Sequence, residues 1–221
     1  MKCNIIYNKD TITYMIDDKP QMIIPNNSEL INFMGEILFL KDLELLKNKN
    51  ISVLNIGLGA GYTTERILKY DNVVKLDVVE IFQEVINNLH NFDTYDSIVD
   101  DERCEIICGD AFDYVNGCDN KYDVVVMDVC QPDLEYSGRL FEKEFLSNVS
   151  KILNNDGIFL IWFYSKNSRF NEFKFILYYL NDVFMNVDYS EIENSIADDT
   201  YFFASNTYKV ENNKSLIDKI K

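Results

Sequence analysis

The chain has 221 residues, 47 % of them hydrophobic, which fits one compact domain with a small appendage and supplies a sizeable core. Its 37 acidic against 21 basic residues leave a formal net charge of −16; that field repels phosphate backbones and anionic membranes, so the reading is no nucleic acid and no membrane, with a small cationic ligand favoured. No apolar run approaches the roughly 20 residues that span a bilayer, and Met1 and Lys2 lead straight into alternating polar and apolar residues rather than a secretory leader.

In chain order, CNIIYNKDTITYMIDDKPQMIIP reads as three short strands, with turns at Asn8-Lys9-Asp10 and Asp17-Asp18-Lys19-Pro20. Asn26-Asn27-Ser28 offers an N-cap, with Glu29 in the first turn. Leu30, Phe33, Met34, Ile37, Leu38 and Leu45 then recur at helical spacing. Residues 1–48 are therefore expected to form an N-terminal β-strand segment plus a helix. Residues 49–221 are expected to form a Rossmann-like nucleoside-binding catalytic domain.

From residue 51 strands alternate with helices: ISVLNIG, TTERILKYD, VVKLDVVEI, QEVINNLHNF, CEIICGDA, FDYVNG, YDVVVMDV, EKEFLSNVSKILN, GIFLIWFY and NEFKFILYYLNDVF. Two strand-like runs, MNVDYSEI and TYFFASNTYKV, close the chain with no helix between them. Alternation implies a parallel sheet with right-handed crossovers, and the wholly apolar VVVMDV and IFLIWFY suit strands covered on both faces. The expected fold is α/β: a Rossmann-like, S-adenosylmethionine-dependent methyltransferase-type fold. Its sheet is mostly parallel, with an antiparallel C-terminal hairpin.

Five cysteines occur, Cys3, Cys104, Cys108, Cys118 and Cys130, with no CxxC pair. Cys104 and Cys108 share one face of a predicted strand more than about 10 Å apart, too far for one metal. They read as reduced thiols of a cytoplasmic protein, with no metal site. The single histidine, His90, reads as an exposed helix residue, which argues against a histidine-dependent triad.

The sharpest local signal is Ile56-Gly57-Leu58-Gly59-Ala60-Gly61, directly after a strand and before a helix. Glycines keep such a turn tight and let a ligand approach bare backbone, while the following helix presents free N–H groups. Glu80 ends the next strand, where a carboxylate can accept from two ribose hydroxyls. A pyrophosphate-binding GxGxxG would place its third glycine at Tyr62, so the shorter GxGxG spacing suits an S-adenosylmethionine-type ligand better. Asp110, beside Ala111, closes the third strand; it can accept from an adenine amino group, cap the next helix, or do both. Asp128 closes the fourth, at the carboxyl-end cleft where open α/β sheets bind ligands.

These motifs together resemble the spermidine synthases, the polyamine aminopropyltransferases. The family's IGGGDGG is matched by Ile56 to Tyr62, its VEID by Val79-Glu80-Ile81, and its D-x-R-V…G-D-A by Asp101 to Tyr114. Its YDVIIVDSSDP is matched by Tyr122 to Pro132 and its LFTEEFY by Leu140 to Leu146. The resemblance implies a donor, decarboxylated S-adenosylmethionine or S-adenosylmethionine itself, held by Gly57, Gly59, Gly61, Glu80, Asp110 and Ala111. It implies an amine acceptor near Asp128 and Gln131, with Asp128 as the base, and a homodimer. Three departures stand against the family pattern. The loop's second aspartate is Gln131, the aspartate of the glycine motif is Ala60, and INFMGEI lacks the family's Tyr-His pair. A methyltransferase, or a nucleoside-binding relative without catalysis, therefore stand as alternative expectations.

Overall fold

The computed structural model describes residues 3–9, 11–25, 46, 48–129, 137–164, 170–193 and 198–207. The helix expected after Ser28, its cap, Cys130 and Gln131 lie outside the described residues. The chain divides into two compact units, Met1–Ala111 and Phe112–Lys221.

The first unit opens with an antiparallel meander of β1 (Cys3–Tyr7), β2 (Thr11–Ile16) and β3 (Lys19–Pro25), in that spatial order. Asp17 and Asp18 both take positive φ, 47° and 62°, and Ile16 pairs with Lys19 across them. A two-residue hairpin turn with both central residues left-handed matches the twist of its strands, and the short polar Asp side chain tolerates it. Alternate residues of β2, Ile12, Tyr14 and Ile16, are buried, so that strand turns one face to the interior.

The unit continues with β4 (Ile51–Ile56), α1 (Tyr62–Leu68), β5 (Val73–Glu80), α2 (Gln83–Asn88), a 3-10 turn (Leu89–Asn91), α3 (Tyr95–Val99) and β6 (Cys104–Cys108). The strands run parallel in the order β6-β5-β4. Val53, Leu54, Leu76 and Val78 are wholly buried; each such side chain contributes about 1.5–3 kcal/mol of hydrophobic stabilisation. Arg103 secures the entry to β6. Its guanidinium donates to the carbonyls of Leu68 (2.6 Å), Tyr70 (3.2 Å) and Val73 (2.9 Å) and pairs with Asp101 (2.6 Å).

Sequence periodicity assigns no element to residues 93–103, where the structure has α3. Only Ile98 of that five-residue helix is buried, so no apolar repeat could announce it. The predicted helix QEVINNLHNF divides into α2 and the 3-10 turn, ending where Phe92 becomes extended.

The second unit holds α4 (Ala111–Gly117, which starts on the last residue of the first unit), β7 (Tyr122–Met127), a 3-10 turn (Gly138–Phe141), α5 (Lys143–Ile152), β8 (Leu153–Tyr164), α6 (Phe170–Val183), β9 (Asn186–Glu193) and β10 (Asp198–Ser205). Its strand order is β7-β8-β10-β9; β7 and β8 are parallel, while β10 pairs antiparallel with both β8 and β9. The antiparallel C-terminal hairpin expected from sequence is present. Every residue of β7 is buried, as its apolar run requires, and the buried Asp123 accepts a hydrogen bond from Asn154 at 2.8 Å. In α5, Phe145, Leu146, Val149 and Ile152 form the buried stripe.

The start of β8 differs from expectation, since it begins at Leu153 rather than Gly157. Tyr122 pairs with Leu153 but Val124 with Ile158, so the intervening residues bulge out of register. A Cβ on Gly157 would lie 2.9 Å from the Asn154 carbonyl, and Ser205 donates to the Gly157 carbonyl at 3.0 Å. The bulge thus combines a local need for glycine at position 157 with contacts from Asp123 and Ser205, both far along the chain.

Candidate functional site: the glycine loop and its carboxylate

β4 delivers the chain into the loop. The Gly57 N–H extends the strand ladder by donating to the Val79 carbonyl at 2.9 Å, and Gly61 N–H closes a tight turn onto the Leu58 carbonyl at 2.8 Å. Gly57, Gly59 and Gly61 have φ of 95°, 56° and 82°, in the region that residues with side chains avoid. Gly61 has a second reason to be glycine: a Cβ there would come 2.6 Å from Ile98 Cδ1 and 2.8 Å from Thr94 Oγ1. Packing against the 89–98 segment fixes that glycine. At the other two the positive φ alone calls for glycine.

Two side chains staple the loop from beneath. Asn55, fully buried, donates from Nδ2 to the Gly57 carbonyl (3.0 Å) and to Thr64 Oγ1 (3.0 Å), joining strand, loop and first helical turn. Thr94 Oγ1 donates to the Ala60 carbonyl at 2.6 Å. Beside it the Tyr62 phenol is pushed up to about 12, by burial first and then by Asp93. Sequence reasoning missed Asn55 and Thr94. Each is a polar residue in an otherwise structural setting, and only the fold shows what it binds.

Glu80 is 8 % exposed at the end of β5. Its Oε2 accepts from the Leu58 N–H of the glycine loop at 3.1 Å, and its Oε1 from the Phe82 N–H at 2.9 Å. Burial raises its pKa above the ordinary carboxylate range, while the N–H groups of Phe82, Leu58, Gly59 and Ile81 pull the other way. The result is a desolvated acceptor fixed against bare loop backbone. Its own carbonyl accepts from the Gly109 N–H at 2.9 Å, which brings Asp110 and Ala111 to the same end of the strands. Asp110 is half-buried and Ala111 buried.

The first unit therefore brings together Gly57, Gly59, Gly61, Glu80, Asp110 and Ala111. Asp128 belongs to the second unit, half-buried immediately after β7. Cys3, Cys104, Cys108 and Cys118 are not disulfide-bonded, and burial pushes the Cys104 thiol up to about 12. Among the described residues no group of three or more His, Cys, Asp or Glu is placed to hold a metal. Among them, too, no helix is long and apolar enough to cross a membrane. His90 is exposed.

Strand order, glycine loop and terminal carboxylates define a Rossmann-like α/β protein of the S-adenosylmethionine methyltransferase type. The model of the spermine/spermidine synthase domain matches residues 40–213, and the chain belongs to that family. The polyamine aminopropyltransferase of Clostridium tetani is 37 % identical over 110 residues, 49 % of this chain and 39 % of the relative. The chain thus covers about two fifths of that relative's length. The spermidine synthase of Thermotoga maritima superposes with a TM-score of 0.74 at 23 % identity, covering 92 % of this chain and 69 % of that one. Human methyltransferase-like protein 13, solved with SAH, gives 0.64 at 20 % identity over 87 % of this chain and 91 % of its own. Both likenesses establish the fold.

Proposed function

We propose that the chain transfers an aminopropyl, or related alkyl, group from a decarboxylated S-adenosylmethionine-type donor to a small cationic amine. The observation that carries this reading is Glu80, a buried carboxylate bonded to the glycine loop, within a chain of the spermine/spermidine synthase family. In this reading Glu80 accepts from the ribose hydroxyls and Asp110 from the adenine amino group. Gly57, Gly59 and Gly61 open the backbone to the donor, and Ala111 packs on the base. Asp128 anchors the acceptor and takes the proton from its amine. The freed nitrogen lone pair attacks the carbon beside the sulfonium, the carbon–sulfur bond breaks, and its electron pair returns to sulfur to release methylthioadenosine. Gln131 contacts the acceptor as a neutral side chain. The protein works in the cytoplasm, as a homodimer, without metal or nucleic acid.

Ala60 favours a second reading. It is a buried apolar residue at the turn of the glycine loop, so the loop offers no carboxylate there to a donor's amine end. Intact S-adenosylmethionine keeps that amine but adds a carboxylate, which an acidic loop side chain would repel, so the loss is compatible with a methyltransferase using the intact donor. Calorimetry with decarboxylated S-adenosylmethionine, S-adenosylmethionine and methylthioadenosine, followed by turnover with a panel of amines, separates the readings. Preference for the decarboxylated donor with amine-dependent release of methylthioadenosine is expected. Preference for intact donor with methyl transfer would replace the first reading with the second. Binding without any turnover would leave a nucleoside-binding protein.

A further inference from the structure

Helix α2 begins at the residue that holds Glu80. Phe82, its extended N-cap, donates the backbone N–H that reaches Glu80 Oε1 at 2.9 Å. Six residues later the helix ends on Asn88, which is 5 % exposed. Asn88 is gripped from the N-terminal sheet by two phenols. Its Nδ2 donates to the Tyr14 hydroxyl at 2.9 Å, and the Tyr7 hydroxyl donates to its Oδ1. Asn91 adds a donor to the same Oδ1 at 2.8 Å. Tyr14 is among the largest side chains buried in the molecule, at 2 % exposure, although a phenol is an expensive group to desolvate for packing alone.

We propose that Tyr14, acting through Asn88 and the short helix α2, is a positioning residue for Glu80, so that the N-terminal sheet sets the geometry of the nucleoside carboxylate. A helix this short transmits a shift at its end to its first turn, because its packed core does not deform continuously. Releasing Asn88 from Tyr14 loosens the Phe82 N–H from Glu80 Oε1, and with it the orientation of the oxygens offered to a ribose. From β2, Tyr14 is a titratable group whose field reaches Glu80, with Tyr7 and Cys3 of β1 beside it. From the loop and α2 the main influences on Glu80 are backbone N–H groups. This inference rests on Glu80 serving a nucleoside, as proposed above.

The test is calorimetric titration with methylthioadenosine across a pH series, on wild type, Tyr14→Phe, Asn88→Ala and Glu80→Gln. Wild-type affinity should fall as pH drops and Glu80 takes up its proton, and Glu80→Gln should lack that acid limb. Without wild-type binding the nucleoside reading itself fails, whatever Tyr14 does. Given wild-type binding, Tyr14→Phe should weaken it about threefold to tenfold, the range of one neutral hydrogen bond. It should also move the acid midpoint upward, because a bond that favours the carboxylate has been loosened. Asn88→Ala should give the same upward move, and the double variant no more than Asn88→Ala alone. A loss of packing without positioning lowers the melting temperature and leaves the midpoint alone, and that result overturns the proposal. Should Tyr14→Phe not fold, Asn88→Ala carries the same test, since it removes the other partner of the bond, and an unmoved midpoint there overturns the proposal equally.

Discussion

Glu80 is where stability and function oppose each other in one side chain. Burial raises its folded-state pKa above the unfolded value. Its contribution to stability is therefore fully present below the unfolded pKa and is lost as pH rises through the folded one. Melting temperatures of the ligand-free protein should carry a downward component as pH rises from the unfolded pKa through the folded one, and Glu80→Gln should remove it. Glu80→Ala should weaken methylthioadenosine binding by about 1–3 kcal/mol with circular dichroism unchanged. Gly61 behaves differently. With φ at 82° and Ile98 and Thr94 standing where a Cβ would go, Gly61→Ala should cost about 2–5 kcal/mol in chemical denaturation, whatever its effect on binding.

Arg103 shows the same division among the elements. Sequence comparison places it in the run leading to β6, and the structure shows why an arginine stands there. One planar fork serves three carbonyls around the α1–β5 turn while Asp101 neutralises it. Arg103→Ala should destabilise the protein by about 2–4 kcal/mol in urea denaturation. Arg103→Lys should recover only part of that, because an ammonium cannot reach three carbonyls at once. Elements with long-range consequences but weak local pattern were the ones hidden in the sequence. α3 buries a single side chain, and the β8 bulge draws in part on Asp123 and Ser205, both far away in the chain. The parallel strands were legible because burial on both faces forces a continuous apolar run, and β7 is the clearest case. Glycine loop and Glu80 were legible because a tight strand-to-helix turn admits few residue types. Asn55, Thr94 and Asn88 were not, since a buried amide or hydroxyl reveals its role only through its partners.

Across the whole molecule the question is whether nucleoside binding is joined to chemistry. The residues proposed for the donor lie in the first unit, and Asp128, proposed for the acceptor, follows β7 in the second. A net charge of −16 suits a cationic acceptor by raising its local concentration, but a diffuse field does not remove a proton. That task needs one carboxylate, and with glutamine at position 131 the proposed mechanism leaves it to Asp128 alone. Asp128→Asn keeps shape and one acceptor oxygen while removing the basic one. It should cut amine-dependent turnover about 10²- to 10⁴-fold and leave methylthioadenosine affinity nearly unchanged. Gln131→Asp adds a carboxylate able to balance an ammonium, so it should lower KM for putrescine with little change in kcat. A wild type without amine-dependent turnover, together with a Gln131→Asp variant that gains none, would exclude aminopropyl transfer and leave nucleoside binding to be explained by another task. Asp128→Asn that lowers stability while sparing turnover would instead reduce Asp128 to the end of a strand, and another residue would have to supply the base.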